Sequence, residues 1–187
     1  MFAVKGEGLS DAQLTELTNI CARVCALAHR AATTNVGNKA KWFGTEANSE
    51  AVTKGLTIMD EYLNKKCVRI TFVRKNTGQI IDQVAAEGSD YGQVIPNVMQ
   101  TTANFQKSAK HTSSGLRIFA MNEIINAINN NDQLEKLNYV YHEVTHKVLD
   151  TVDYRYGQGP CKTLAANHPT YAVRNADNWG YYIARIV

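Results

Sequence analysis

Between Gln133 and Leu149 the apolar residues Leu134, Leu137, Val140, Tyr141, Val144 and Val148 recur at intervals of three and four, which predicts a helix with one buried face. Inside that stretch stands His142-Glu143-Val144-Thr145-His146. A helix stacks side chains four positions apart one above the other, so both imidazoles reach one point. The fold must therefore bury this helix on one side and leave its histidine face open to a ligand. Two imidazoles on one face begin a metal site, and Glu143 beside the first histidine is free to face an attacking water. A catalytic zinc takes three protein ligands, keeps a fourth position open, and draws the pKa of water toward neutrality, where a carboxylate can take the proton. The plain alternative is that the pentapeptide is only helical surface. Downstream, Asp150, Asp153, His168 and Asp177 are the candidates for a third ligand. His168, followed by proline in a loop, reads more simply as solvent-exposed.

Such a helix needs partners, and the rest of the chain supplies them. Ser10 is placed as an N-cap with Gln13 completing a capping box, and Leu14, Leu17, Cys21, Val24, Cys25 and Ala28 continue an amphipathic helix to about Arg30. A second helix is expected over 45–64. Cys67–Arg74 alternates and is rich in β-branched residues, as a strand should be, and Asn76-Thr77-Gly78 offers a turn to a returning strand over 79–85. Residues 115–120 form a further strand candidate, and short helices are expected around 161–166 and 176–184. Helices flanking a modest sheet indicate an α+β architecture. The 187 residues suit one domain, with 1–66 as N-terminal helices, 67–120 as the sheet region and 133–187 as the histidine-bearing helix and C-terminal helical part.

Charge and composition narrow the function classes. The formal net charge of +3 is scattered, with only Lys39-Ala40-Lys41 and Lys65-Lys66 as small clusters, so no nucleic-acid stripe is present. No apolar run approaches the ~20 residues of a membrane span. The opening residues lack the basic and apolar regions of a signal peptide, so an exported protein would have lost its leader or use a leaderless route. Cysteines stand at 21, 25, 67 and 161; they permit disulfides without requiring them, and no C-x-x-C pair offers a thiolate zinc site.

Asp150-Thr-Val-Asp153-Tyr-Arg-Tyr156-Gly157 resembles the G-T-x-D-x-x-Y-G signature of the aspzincins, the deuterolysin and peptidyl-lysine metalloendopeptidase group, with Asp150 in place of the first glycine. Asn175-Ala-Asp177-Asn178 matches an N-A-D-N of the peptidyl-lysine branch. Asp153–Gln158, Lys162–Ala165 and, upstream, Trp42-Phe43-Gly44 are similar to that branch as well. The likeness is strong over 141–182, thin over 41–64 and undetectable between them.

That resemblance implies a zincin-like fold and one catalytic zinc held by His142, His146 and Asp153. It implies Glu143 as general base and Tyr156 as a donor to the oxyanion, although Tyr156 could also be a packed aromatic beside a turn. In the peptidyl-lysine branch an acidic pocket receives a lysine on the leaving-group side of the cut. Asp177 matches one of its acids, or else caps the last helix; where the second acid is expected, this chain has Gly180. The expected function is zinc-dependent endopeptidase action on a protein or peptide substrate, by an exported and monomeric enzyme without nucleic-acid or membrane partners. The rivals are a leaderless effector protease with one target, and a catalytically silent zinc-binding module, against which the presence of Glu143 argues.

Overall fold

The computed structural model describes residues 3–45, 49–65, 69–74, 116–120 and 122–186. Strand β1, Ala3–Glu7, leads into α1, Asp11–Thr33. Ser10 Oγ accepts from Gln13 N at 3.3 Å and Gln13 Oε1 accepts from Ser10 N at 3.0 Å, so the reciprocal cap read from the sequence starts α1. A short helix α2, Lys39–Phe43, follows, then α3, Ser49–Asp60, which widens into a π-helical turn over Glu61–Lys65. Asn64 Nδ2 holds that turn by donating to Asp60 Oδ1 at 2.8 Å and to the Cys25 carbonyl at 2.9 Å.

Strands β2, Arg69–Arg74, and β3, Leu116–Ala120, complete a parallel three-stranded sheet in the order β1-β2-β3. The expected strands at 67–74 and 115–120 are thus present as β2 and β3, whereas the turn at 76–78 and the returning strand over 79–85 lie outside the described residues. Sequence patterning did not reveal β1, α2 or the helix α4, Asn122–Asn129. β1 is short, mostly exposed and carries a glycine, so it lacks the alternation that marks a half-buried strand.

Helix α5, Gln133–Leu149, has the bounds its periodicity predicts. Asp132 caps it, with Oδ1 accepting from the amides of Leu134 and Glu135 at 3.1 Å each. It ends at Asp150, in the left-handed conformation at φ 51° and ψ 38°. This is the position of the signature's first glycine, and aspartate is among the few side chains that tolerate that conformation. Helices α6, Gln158–Asn167, α7, Pro169–Ala172, and α8, Ala176–Ala184, close the described chain.

Val140, Val144 and Val148 of α5 are wholly buried, in one apolar cluster with Leu17 and Val24 of α1, Leu56 and Met59 of α3, Phe72 of β2 and Trp179 and Tyr182 of α8. The N-terminal segment is stitched to α8: Trp42 stacks on Tyr181 at 5.6 Å, Phe43 lies 4.8 Å from Trp179, and Asn178 Nδ2 donates to the Trp42 carbonyl at 2.5 Å. Lys136 of α5 is buried, and Glu16 of α1 supplies its counter-charge. Among the described residues no helix is long and apolar enough to cross a membrane.

Candidate metal centre and active site

α5 delivers His142 and His146 one turn apart, and the loop after it returns Asp153 against them. His142 Nε2 and His146 Nε2 lie 3.2 and 3.3 Å from Asp153 Oδ1, and 3.0 Å from each other. Each outer nitrogen is already engaged. His146 Nδ1 donates to the Thr151 carbonyl at 2.8 Å, and His142 Nδ1 donates to Asp177 Oδ1 at 2.7 Å. A carbonyl can only accept, so Nδ1 of His146 carries a proton, and in the neutral imidazole Nε2 is the nitrogen left with a lone pair for a ligand. These three residues form the cluster able to hold a metal among the described residues. Zinc bonds of 2.0–2.1 Å in a tetrahedron separate neighbouring ligand atoms by about 3.3 Å, so the donors present fit zinc in type and spacing.

Glu143 stands beside the triad, with Oε1 4.0 Å from His142 Nε2 and a side chain 24% exposed, so it faces the centre without joining it. Burial raises its pKa, against the opposing pull of His142 and His146. Burial pulls the His142 imidazolium down, but its hydrogen bonds to Asp153 and Asp177 and the charge of Glu143 override this and raise its pKa to about 10. For His146, burial again works downward and the Asp153 hydrogen bond carries the pKa upward. Burial would raise Asp153, yet hydrogen bonds from both histidines hold it far below the usual carboxylate range.

Tyr156 lies over the site, its ring 6.1 Å from that of His142 and inclined by 17°, while 63% of the residue is exposed. Desolvation at the site, then the charge of Asp153 and a hydrogen bond to it, push the phenol well above its ordinary range and keep its proton available for donation. Gly157 follows at φ 83°, a conformation that favours glycine.

The N-A-D-N segment acts on this loop from below. Asn175 Oδ1 accepts from Tyr154 N at 2.7 Å and Arg155 N at 3.0 Å, and Asn175 Nδ2 donates to Asn178 Oδ1 at 2.7 Å. Asp177 differs from its expected place as a lysine receiver. It is 4% exposed, and its two oxygens accept from His142 Nδ1 and from Gly157 N, each at 2.7 Å. It does not cap α8 either, since no side-chain capping bond is made at that end. Gly180 opens no pocket: a Cβ there would stand 2.0 Å from Asn138 Oδ1 and 2.8 Å from the Asn138 carbonyl. Of the other ligand candidates, Asp150 ends α5 and exposed His168 packs edge-on to Tyr171 at 6.0 Å, and neither joins the triad. Thr151 and Asn175 lie within the sequence motifs, but the bond of the Thr151 carbonyl to His146 and those of the Asn175 side chain to the loop amides are not legible there. Only the return of the loop onto α5 supplies them.

A helix with H-E-x-x-H, an aspartate returned by the next loop and a tyrosine above them define a metallopeptidase-like centre. The sequence pattern of the aspzincin family, described as lysine-specific metallo-endopeptidase, matches residues 28–184. The chain belongs to that family of zinc-dependent peptidases. A peptidyl-Lys metalloendopeptidase of Armillaria mellea is 44% identical over 43 residues, which are 22% of this chain and 12% of that protein. A zinc peptidase from Grifola frondosa shares the fold at a TM-score of 0.51 and 21% identity, over 92% of this chain and 90% of that one.

Proposed function

We propose that this chain is a zinc-dependent endopeptidase in which His142, His146 and Asp153 hold one ion, Glu143 is the general base and Tyr156 donates to the oxyanion. The observation that carries the reading is the triangle of donor atoms, with edges of 3.0, 3.2 and 3.3 Å, preformed with both outer imidazole nitrogens committed elsewhere. When bound, zinc supplies Lewis acidity and lowers the pKa of water. Glu143 takes the proton of the water that attacks the peptide carbonyl, and its raised pKa suits it to carry that proton to the departing amine. Tyr156 donates its phenol proton in a hydrogen bond to the oxygen on which negative charge develops.

The family's description and the name of the Armillaria relative support a preference for lysine, which we place on the leaving-group side of the cut. We do not assign the reading of that lysine to Asp177, whose carboxylate is buried and already accepts from His142 Nδ1 and Gly157 N. Glu143→Gln tests the mechanism. The variant is expected to bind one equivalent of zinc like the parent and to lose turnover by roughly 10²–10⁴-fold. A Glu143→Gln enzyme with parental turnover would sink the assignment. Cleavage of a proteome-derived peptide library, with and without chelator, reads metal dependence and the residue after the cut together.

A further inference from the structure

We infer that Asp177 is a positioning residue of the metal centre, a clasp that orients His142 and ties it to the turn bearing Tyr156. This rests on the zinc reading of the triad given above. Asp177 lies in the first turn of α8, and its carboxylate bridges two elements that are remote in sequence. Oδ1 takes the Nδ1 proton of His142 on α5, and Oδ2 takes the amide proton of Gly157, next to Tyr156. Asn138 Nδ2, one turn before His142, adds a long contact of 3.5 Å to Oδ1. A histidine that donates its outer N–H to a carboxylate has its ring plane fixed and its ligating nitrogen made more basic.

Gly180 is the other half of the device. It stands one turn after Asp177, on the same face of α8, and the space a side chain would need there is taken by Asn138 of α5. The approach of α8 to α5 there brings the Asp177 carboxylate within reach of His142. A larger side chain at 180 would collide with the Asn138 backbone, which cannot swing aside. The exchange of the expected second acid for glycine therefore goes with an inward-facing first acid. A substrate ammonium would have to reach a carboxylate that is only 4% exposed and already accepts from His142 and Gly157.

The experiment is zinc competition against a chelator of known affinity, on the full chain with Asp177 intact and as Asp177→Asn and Asp177→Ala. Zinc affinity is expected to fall about 10–100-fold in Asp177→Ala, less in the isosteric Asn variant, which retains an acceptor. kcat/KM should fall by one common factor for peptides with lysine and with leucine after the cut. Unchanged zinc affinity, with KM raised for lysine peptides alone, would overturn the clasp and restore a substrate-binding Asp177. Failure of the parent chain to bind zinc would instead remove the metal reading itself. A readout that needs no variant is the His142 ring N–H resonance of the zinc-loaded parent. Slow exchange with solvent is expected, and exchange as fast as that of an open histidine contradicts the bond to Asp177.

Discussion

Tyr156 combines two properties seldom found in one residue: it is 63% exposed, yet its ring lies parallel to a buried metal-ligand candidate. Its packing contribution is therefore small, while its phenol hydrogen-bonds to Asp153. Tyr156→Phe is expected to leave the melting temperature and zinc content nearly unchanged, within the ±0.5 kcal/mol or so of a surface substitution, and to lower kcat about 100-fold. Calorimetric melting and steady-state kinetics on one preparation check both halves; a large loss of stability would make Tyr156 a structural residue. At this scale the sequence was informative where one helix imposes the geometry. His142, Glu143 and His146 needed only the period of α5, whereas Asp153 was one of several acceptable ligands until a family likeness singled it out. The partners of Asp177 were beyond reach, because they depend on how α8 crosses α5.

That crossing is the dominant feature among the elements. α8 carries Trp179 and Tyr182 into the core and Asp177 to the metal centre, and both placements require Gly180 to lie flush on α5. Gly180→Ala is expected to destabilise the fold by about 1–3 kcal/mol through overpacking, since the Asn138 carbonyl is among the atoms in the way. Denaturant unfolding measures it, and a neutral result would mean that the helices separate at no cost. α5 was legible at both ends from its apolar stripe, and α1 at its capped start, although it runs three residues beyond the expected end at Arg30. α2 has five residues, too few to show a period, and its Trp42 and Phe43 are placed by α8. β1 owes its existence to pairing with β2, a tertiary fact no local pattern records.

Across the whole molecule the core is rich in groups that must stay protonated. Burial pushes Cys25 up to about 11 and Cys161, Tyr62 and Tyr182 up to about 12, from ordinary values of 9.0 for the thiols and 10.0 for the phenols. A folded pKa raised above the unfolded one gives stability that is complete below the unfolded value and is lost as pH rises through the folded one. Stability is thus expected to be indifferent to these groups up to about pH 9 and to fall steadily between 9 and 12, as urea midpoints across that range will show. Midpoints that hold constant to pH 12 would mean that these side chains are open to water. The hydrogen-bonded triad carries the same logic into metal uptake. His142 and His146 both hold protons more tightly than free imidazole, with Asp153 as their counter-charge. On the zinc reading proposed above, the ion has to expel those protons to enter, so loading is an ion exchange rather than the filling of a vacancy. The ion's hold accordingly weakens as the solution is acidified, and part of any heat measured on loading belongs to the buffer that receives the protons.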